Sequence, residues 1–190
     1  MPRWHPLVIS LALVPALALA VPLRAQGSAT IFGTSAARAC YEAAETGLTP
    51  RAADFRICDA ALQDVSTPPR EVVASFVNRG IMFLRTGNID AALADFDRAT
   101  QLDAEEPEAY LNRGTALLKR GRVRSALEMF DQALGKNTSR PELAHYGRAI
   151  AHEALGNARA AYRDYLRASE IAPQWAQPRA ELARFRVAPD

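Results

Sequence analysis

His145 and His152 stand seven residues apart. That is two turns of an α-helix, so both fall on one face, where paired imidazoles are suited to holding a metal ion or passing a proton. Nothing else in the chain completes such a site. No HExxH, GxSxG, phosphate-binding loop or paired nucleophile and base occurs in the sequence. Glu105 and Glu106 lie at a loop and a helix start, where carboxylates meet the positive end of the helix dipole. The simpler reading of the two histidines is packed, hydrogen-bonded imidazole in a helical core. The expectation is a protein that is not an enzyme, with no cofactor and no bound metal.

Cys40 and Cys58 are the only cysteines. Ala-rich helical text lies on both sides of "TGLTP", where Gly47 and Pro50 mark a turn. Two antiparallel helices joined there place the cysteines about equally far from the turn, which suits a disulfide. A reactive thiol or a metal ligand is the alternative, but no histidine is near and the spacing is not CxxC. A disulfide also needs an oxidising compartment. Residues 1–25 carry Arg3, the apolar run "LVISLALVPALALAV" and small residues before "LRAQG", with no acidic residue. This is the pattern of a secretory signal peptide cut after Ala20 or after Ala25. A retained anchor is the rival reading, but Pro15 and Pro22 interrupt a run already short for a span. Export to a periplasmic or secreted location is expected, with no membrane insertion after cleavage.

Cleavage would remove Arg3 and Arg24, leaving 21 basic against 21 acidic side chains. Only Lys119 and Lys136 are lysines, and the arginines are dispersed among acids along the helices. Nucleic acid and anionic membrane surfaces demand clustered positive charge. The expected partner is therefore a protein or peptide, and no nucleic acid. Asn137 opens an "NTS" that fits a glycosylation acceptor in a eukaryote, but the Arg-rich, Lys-poor usage reads as bacterial.

The positioning elements are legible because the chain repeats itself. "FVNRGIMFLRTGNIDAALADFDRA" from Phe76 returns as "YLNRGTALLKRGRVRSALEMFDQA" from Tyr110, 34 residues on. Asn78, Arg79, Gly80, Leu84, Gly87, Ala92, Leu93, Phe96, Asp97 and Ala99 all recur at that spacing. A third copy follows at a shift of 35, with Arg148, Gly156, Ala161, Tyr165 and Ala168 in the matching places, the extra residue lying in "GKNTSRPE". Each copy reads as two helices of period near 3.6 broken at a glycine. Small residues at Gly80, Ala92 and Ala99 let the helices approach, while Phe83 and Phe96 fill the space around them. One pair cannot bury both faces, so pairs must stack.

These positions resemble the tetratricopeptide repeat family, whose pattern asks for a bulky residue, Leu-Gly and an aromatic in the first helix, then Ala, an aromatic, Ala and Pro in the second. Phe76, Arg79-Gly80, Phe83, Ala92, Phe96 and Ala99 fill it in the first copy. In the second copy Tyr110, Arg113-Gly114, Leu117, Ala126, Phe130 and Ala133 do so. The third has His145, Arg148-Ala149, His152, Ala161, Tyr165, Ala168 and Pro173. Arg stands in the Leu slot throughout, where it can lie along apolar surface and meet Asp95, Asp131 or Asp164 on the second helix.

The resemblance implies an all-α, right-handed α-solenoid of stacked antiparallel helix pairs, about nine helices in all. After the leader comes a flexible lead-in at residues 26–34. A degenerate helix pair with the disulfide spans 35–72. The repeats span 73–106, 107–140 and 141–175, and a capping helix and tail span 176–190. Pro178 belongs to the first turn of that cap, with Leu182 and Phe185 facing the stack.

In such a stack the first helices line a concave groove. Its inner stripe reads Val77, Asn78, Ile81, Leu84 and Arg85, then Leu111, Asn112, Thr115, Leu118 and Lys119, then Tyr146, Ile150 and Glu153. Apolar side chains there are spare from the core and form a surface for an extended peptide or helix. Asn78 and Asn112 have two readings. An amide both donates and accepts, so each fits a peptide backbone, as an asparagine does at that place in peptide-binding relatives; otherwise each is simply solvated. The function expected is an exported interaction adaptor holding a peptide or helix of an envelope partner. The alternative is a structural module that self-associates. Either fits a monomer or weak homo-oligomer.

Overall fold

The computed structural model describes residues 35–185. The expected leader and lead-in, and residues 186–190 of the tail, lie outside the described residues. The described residues form nine helices and no strand: α1 (Ser35–Glu45), α2 (Ala52–Gln63), α3 (Pro69–Arg85), α4 (Ile89–Leu102), α5 (Pro107–Lys119), α6 (Val123–Gly135), α7 (Pro141–Ala154), α8 (Ala158–Ile171) and α9 (Ala176–Leu182). They build an all-α solenoid in which successive helices pack as antiparallel neighbours.

The repeat is written into the helix ends. Pro69, Pro107 and Pro141 open α3, α5 and α7, a position where proline's missing N–H has no intrahelical partner to lose. α3 thus begins four residues before Val73. The same helices stop at Gly87, Gly121 and Gly156, with φ of 78°, 77° and 78°. The next N–H reaches back in each case, Asn88 to Phe83 O at 2.9 Å, Arg122 to Leu117 O at 2.9 Å and Asn157 to His152 O at 2.8 Å. Such left-handed caps satisfy carbonyls that the helix leaves open. α6 ends on Gly135, and the left-handed residue of its cap is Asn137, at φ 59°, in place of a glycine. The loop that follows, where the period lengthens, is tied to α5: Thr138 Oγ1 donates to the Glu108 carboxylate at 2.9 Å and the Ser139 N–H at 2.7 Å.

Helices meet through the small residues that the repeat supplies. Ala92, Ala99, Ala126, Ala133, Ala161 and Ala168 are all fully buried. A Cβ on Gly80 would come within 2.5 Å of the Phe96 ring, and one on Gly114 within 2.8 Å of Phe130. Glycine is required at both by the aromatic ring packed upon it.

Arginine in the Leu slot clamps neighbouring second helices. Arg79 holds Asp95 through Nε and Nη2 at 2.8 and 2.7 Å and reaches Asp59 of α2 through Nη1 at 2.6 Å. Arg148 repeats this on Asp164 at 2.8 Å through both nitrogens and on Asp131 at 2.7 Å. Copy two departs. Met129 stands where Asp95 and Asp164 stand, and Arg113 instead makes an ion pair with Asp97 at 2.7 Å, with Nη1 3.3 Å from the Met129 sulfur. The Arg113–Asp97 contact is close but not aligned as a hydrogen bond. Asp131 therefore serves Arg148 and not, as expected, Arg113.

Cys40 and Cys58 form the disulfide, joining α1 to α2 with a Cα–Cα separation of 4.6 Å. Both are fully buried, in a cluster with Ala37, Ala44 and Ala61 that also takes in Ala74 and Met82 of α3. In the regular repeats the second helix makes the main contact with the next pair, whereas here α1 packs on α3 at least as extensively as α2 does. At the other end Leu182 and Phe185 pack against the cluster of Tyr146 and Tyr165.

Candidate functional site

The two histidines are part of the frame. His145 Nδ1 lies 2.9 Å from Asp164 Oδ1, and His152 Nε2 lies 3.9 Å from Asp164 Oδ2. Among the described residues no three or more His, Cys, Asp and Glu side chains gather to hold a metal ion. Burial pushes the Asp164 carboxyl up, but hydrogen bonds from His145 and Arg148 outweigh that and hold it below the usual aspartate range. At Asp95 the balance reverses. Burial raises it, Arg79 offsets this only in part, and no histidine assists.

An open cleft of about 60 Å³ lies on the first-helix face in the second half of the solenoid. α5 contributes Leu111, Asn112, Thr115 and Leu118, and α7 contributes Leu143, Tyr146, Gly147 and Ile150. Trp175, just before α9, stands against Tyr146 with ring centroids 4.7 Å apart, and Phe130 of α6 also lines the cleft. Gly147 is fixed by packing, because a Cβ there would sit 2.4 Å from the Phe130 ring. Asn112 Nδ2 donates to Glu108 O at 2.8 Å, and Thr115 Oγ1 to Leu111 O at 3.2 Å. Burial, with Glu181 and Glu153 nearby and Arg184 opposing, pushes the Tyr146 phenol up to about 12. Glu153 itself is engaged, accepting from the Tyr165 hydroxyl at 2.9 Å and pairing with Arg184.

The expected stripe therefore divides. Leu111, Asn112, Thr115, Leu118, Tyr146 and Ile150 come together in the cleft, while Lys119 is exposed outside its lining. The first-copy residues lie elsewhere. Val77, Ile81 and Leu84 are in the core with Phe96, Ala109 and Ala116, and none of them borders the cleft. Asn78 is 0% exposed, and among the described residues neither its Oδ1 nor its Nδ2 has a partner. It is neither solvated nor open to a peptide. Arg85 is half-buried, with its guanidinium pushed down by burial and partly supported by Glu45 of α1. The cause is that α3 is flanked by α1 and α5, and α1 packs directly on it.

Four cleft residues escaped the sequence reading. Phe130 is on a second helix, and Trp175 precedes a helix read only as a cap. Gly147 stands at the place of Asn112 and offers no side chain to notice. Leu143 lies one turn before the expected stripe begins.

Stacked helix pairs with a lined concave face define a helical-repeat scaffold. Two family models match, a TPR repeat over residues 80–121 and a tetratricopeptide repeat over residues 111–178, together just over half of the chain. The chain belongs to the tetratricopeptide repeat family. It is similar to the first such domain of Spaghetti (RPAP3) bound to the HSP90 peptide SRMEEVD, at 23% identity over 59% of this chain and 88% of that one, TM-score 0.56. It is similar to YrrB, described as having an unusual peptide-binding site, at 20% identity over 66% and 62%, TM-score 0.58. MamA from Desulfovibrio magneticus RS-1 matches at 16% identity over 78% and 82%, TM-score 0.62. At these identities the likeness is one of fold. No curated protein sequence matches the chain.

Proposed function

We propose that this protein is an exported interaction adaptor that binds a peptide or helix of a cell-envelope partner, using the cleft between α5, α7 and Trp175. The observation that carries the reading is that cleft: apolar side chains gathered on the concave face. Apolar lining with a few placed polar atoms is the usual make-up of a recognition pocket. Two of the similar folds are described as peptide-bound or peptide-binding. Export rests on the signal-peptide pattern of residues 1–25 and on the buried disulfide, which suits an oxidising compartment. Among the described residues no helix is long and apolar enough to cross a membrane.

A photo-reactive amino acid at Thr115, compared with one at exposed Arg124 on α6, tests the reading in cells. Partner adducts from Thr115 alone support it, and adducts from Arg124 alone move the surface to the convex side. Cell fractionation with N-terminal sequencing checks export, the expected start being Val21 or Gln26. Light scattering across concentration checks self-association, for which a monomer at all concentrations is expected.

A further inference from the structure

Ala74, Asn78 and Met82 follow one another at four-residue steps on α3, so they share a face. Ala74 and Met82 pack in the cluster built around Ala37, Cys40 and Ala44 of α1, and the Cys40 sulfur lies 3.8 Å from the Ser75 carbonyl oxygen. Asn78 therefore sits under α1. α1 also packs more extensively on α3 than α3 does on α5, or α5 on α7.

This cover is chemically a poor match for what it covers. α1 brings alanines and a cysteine to the contact, side chains that bury little apolar area. Beneath it Asn78 and Ser75 are 0% exposed, and among the described residues the Asn78 amide and the Ser75 hydroxyl have no hydrogen-bond partner. Arg85, one turn beyond Met82, keeps Nε and Nη1 unbonded among the described residues, with Glu45 of α1 as electrostatic support. Polar groups buried without partners favour any state in which water reaches them. α2 is held to α3 by better contacts. Asp59 accepts from Arg79 at 2.6 Å, and Phe55 stacks on Phe83 with ring centroids 4.6 Å apart. The disulfide ties α1 to α2 and not to α3.

We propose that the α1–α2 pair is a lid: with its disulfide intact it turns about the α2–α3 contact and lifts α1, exposing Ser75, Asn78 and Arg85 while the three repeats stay folded. Stability in stacked repeats is local, so such an opening recurs far more often than global unfolding. The disulfide keeps the lid rigid and does not lock it. Nothing in this depends on the cleft, which takes no residue from α1, α2 or α3.

Thiol labelling tests the lid, because the two native cysteines are bridged to each other. Ala44→Cys places a thiol under the lid, and Ala133→Cys places one in the core of the second repeat; both alanines are buried. Melting and peptide mapping first confirm that each variant folds with Cys40 bridged to Cys58. Without denaturant, alkylation of the Ala44→Cys protein is expected to run at least tenfold faster than that of the Ala133→Cys protein. Asn78→Leu, close to Asn in size, and Ser75→Ala each remove an orphaned polar group. Either should slow labelling of the Ala44→Cys protein about tenfold, and one suffices if the other does not fold. Amide exchange over residues 35–45 should be slower than this labelling implies, because α1 moves without unwinding. Equal labelling of the two thiols, no slowing by the folded variants, or amide exchange as fast as the labelling implies would each overturn the lid.

Discussion

Asn78 and Asn112 occupy the same place in successive repeats and end in different surroundings. Asn112, itself only 2% exposed, borders an open cleft beside α7 and donates through Nδ2 to Glu108 O. Asn78 is sealed in α3, which carries the disulfide-clamped pair α1–α2 on one side and α5 on the other. Ile81 is buried where Thr115 is half-buried, whereas Leu111 is as much a core residue as Val77 and differs from it in bordering the cleft. Position in the repeat decides which way a residue points, but the neighbouring helix decides whether anything can reach it.

The sharpest way to break the comparison is through the arginine clamps, because these too differ between copies. Arg79→Ala leaves Asp95, only 7% exposed, without its bidentate partner. Stability should fall by about 3–5 kcal/mol. Arg113→Ala removes a pair whose acid is 44% exposed and should cost less than about 1 kcal/mol. Chemical denaturation of the two variants checks this, and equal losses would show that the clamps are equivalent after all.

Removing the disulfide comes next. Cys40→Ser with Cys58→Ser opens a bridge with sequence separation 18, worth on the order of 3 kcal/mol in the chain-entropy account. Because stability in stacked repeats passes between neighbours, the loss should concentrate in α1–α3. Amide exchange read by segment should quicken there while α5–α9 stays as before.

Smaller effects separate the two asparagines. Asn112→Ala should weaken binding of a captured partner by one hydrogen bond, about 0.5–1.5 kcal/mol. Asn78→Ala should leave affinity unchanged, and since its amide has no partner to lose, stability should move little. Calorimetry and melting of both variants read this directly.

The smallest contrast lies in acid titration. Asp164 is held below the ordinary aspartate value of 3.8, so the native state binds fewer protons than the unfolded chain. Its stabilisation is present above 3.8 and lost as pH falls through its native pKa. Asp95 is raised above 3.8, so its contribution has the opposite sign and is lost as pH rises through its native pKa. The stability difference between wild type and Asp164→Asn should therefore shrink on acidification. The difference between wild type and Asp95→Asn should grow on acidification.

Much of the fold was legible because local and global signals coincide. The 34-residue period, the glycine stops and the paired aromatics each point to stacked helix pairs, and Cys40 and Cys58 sit where a hairpin brings them together. Half of the proposed groove was legible for the same reason. The burial of the first-copy stripe was not legible because periodicity gives a direction and no neighbour. α1 has too little repeat pattern in its sequence to show that it would pack directly on α3. Trp175 and Phe130 were missed because a groove was sought on the first helices of complete repeats, whereas the cleft is completed by a second helix and by the approach to α9.

The central claim is that binding uses the second half of the concave face and bypasses the first. Hydrogen exchange of the protein, free and saturated with its captured partner, tests this most directly. Protection is expected over residues 107–119, 141–154 and 175–182, with residues 69–85 unchanged. Protection confined to 69–85, or to the second helices α4, α6 and α8, would contradict it.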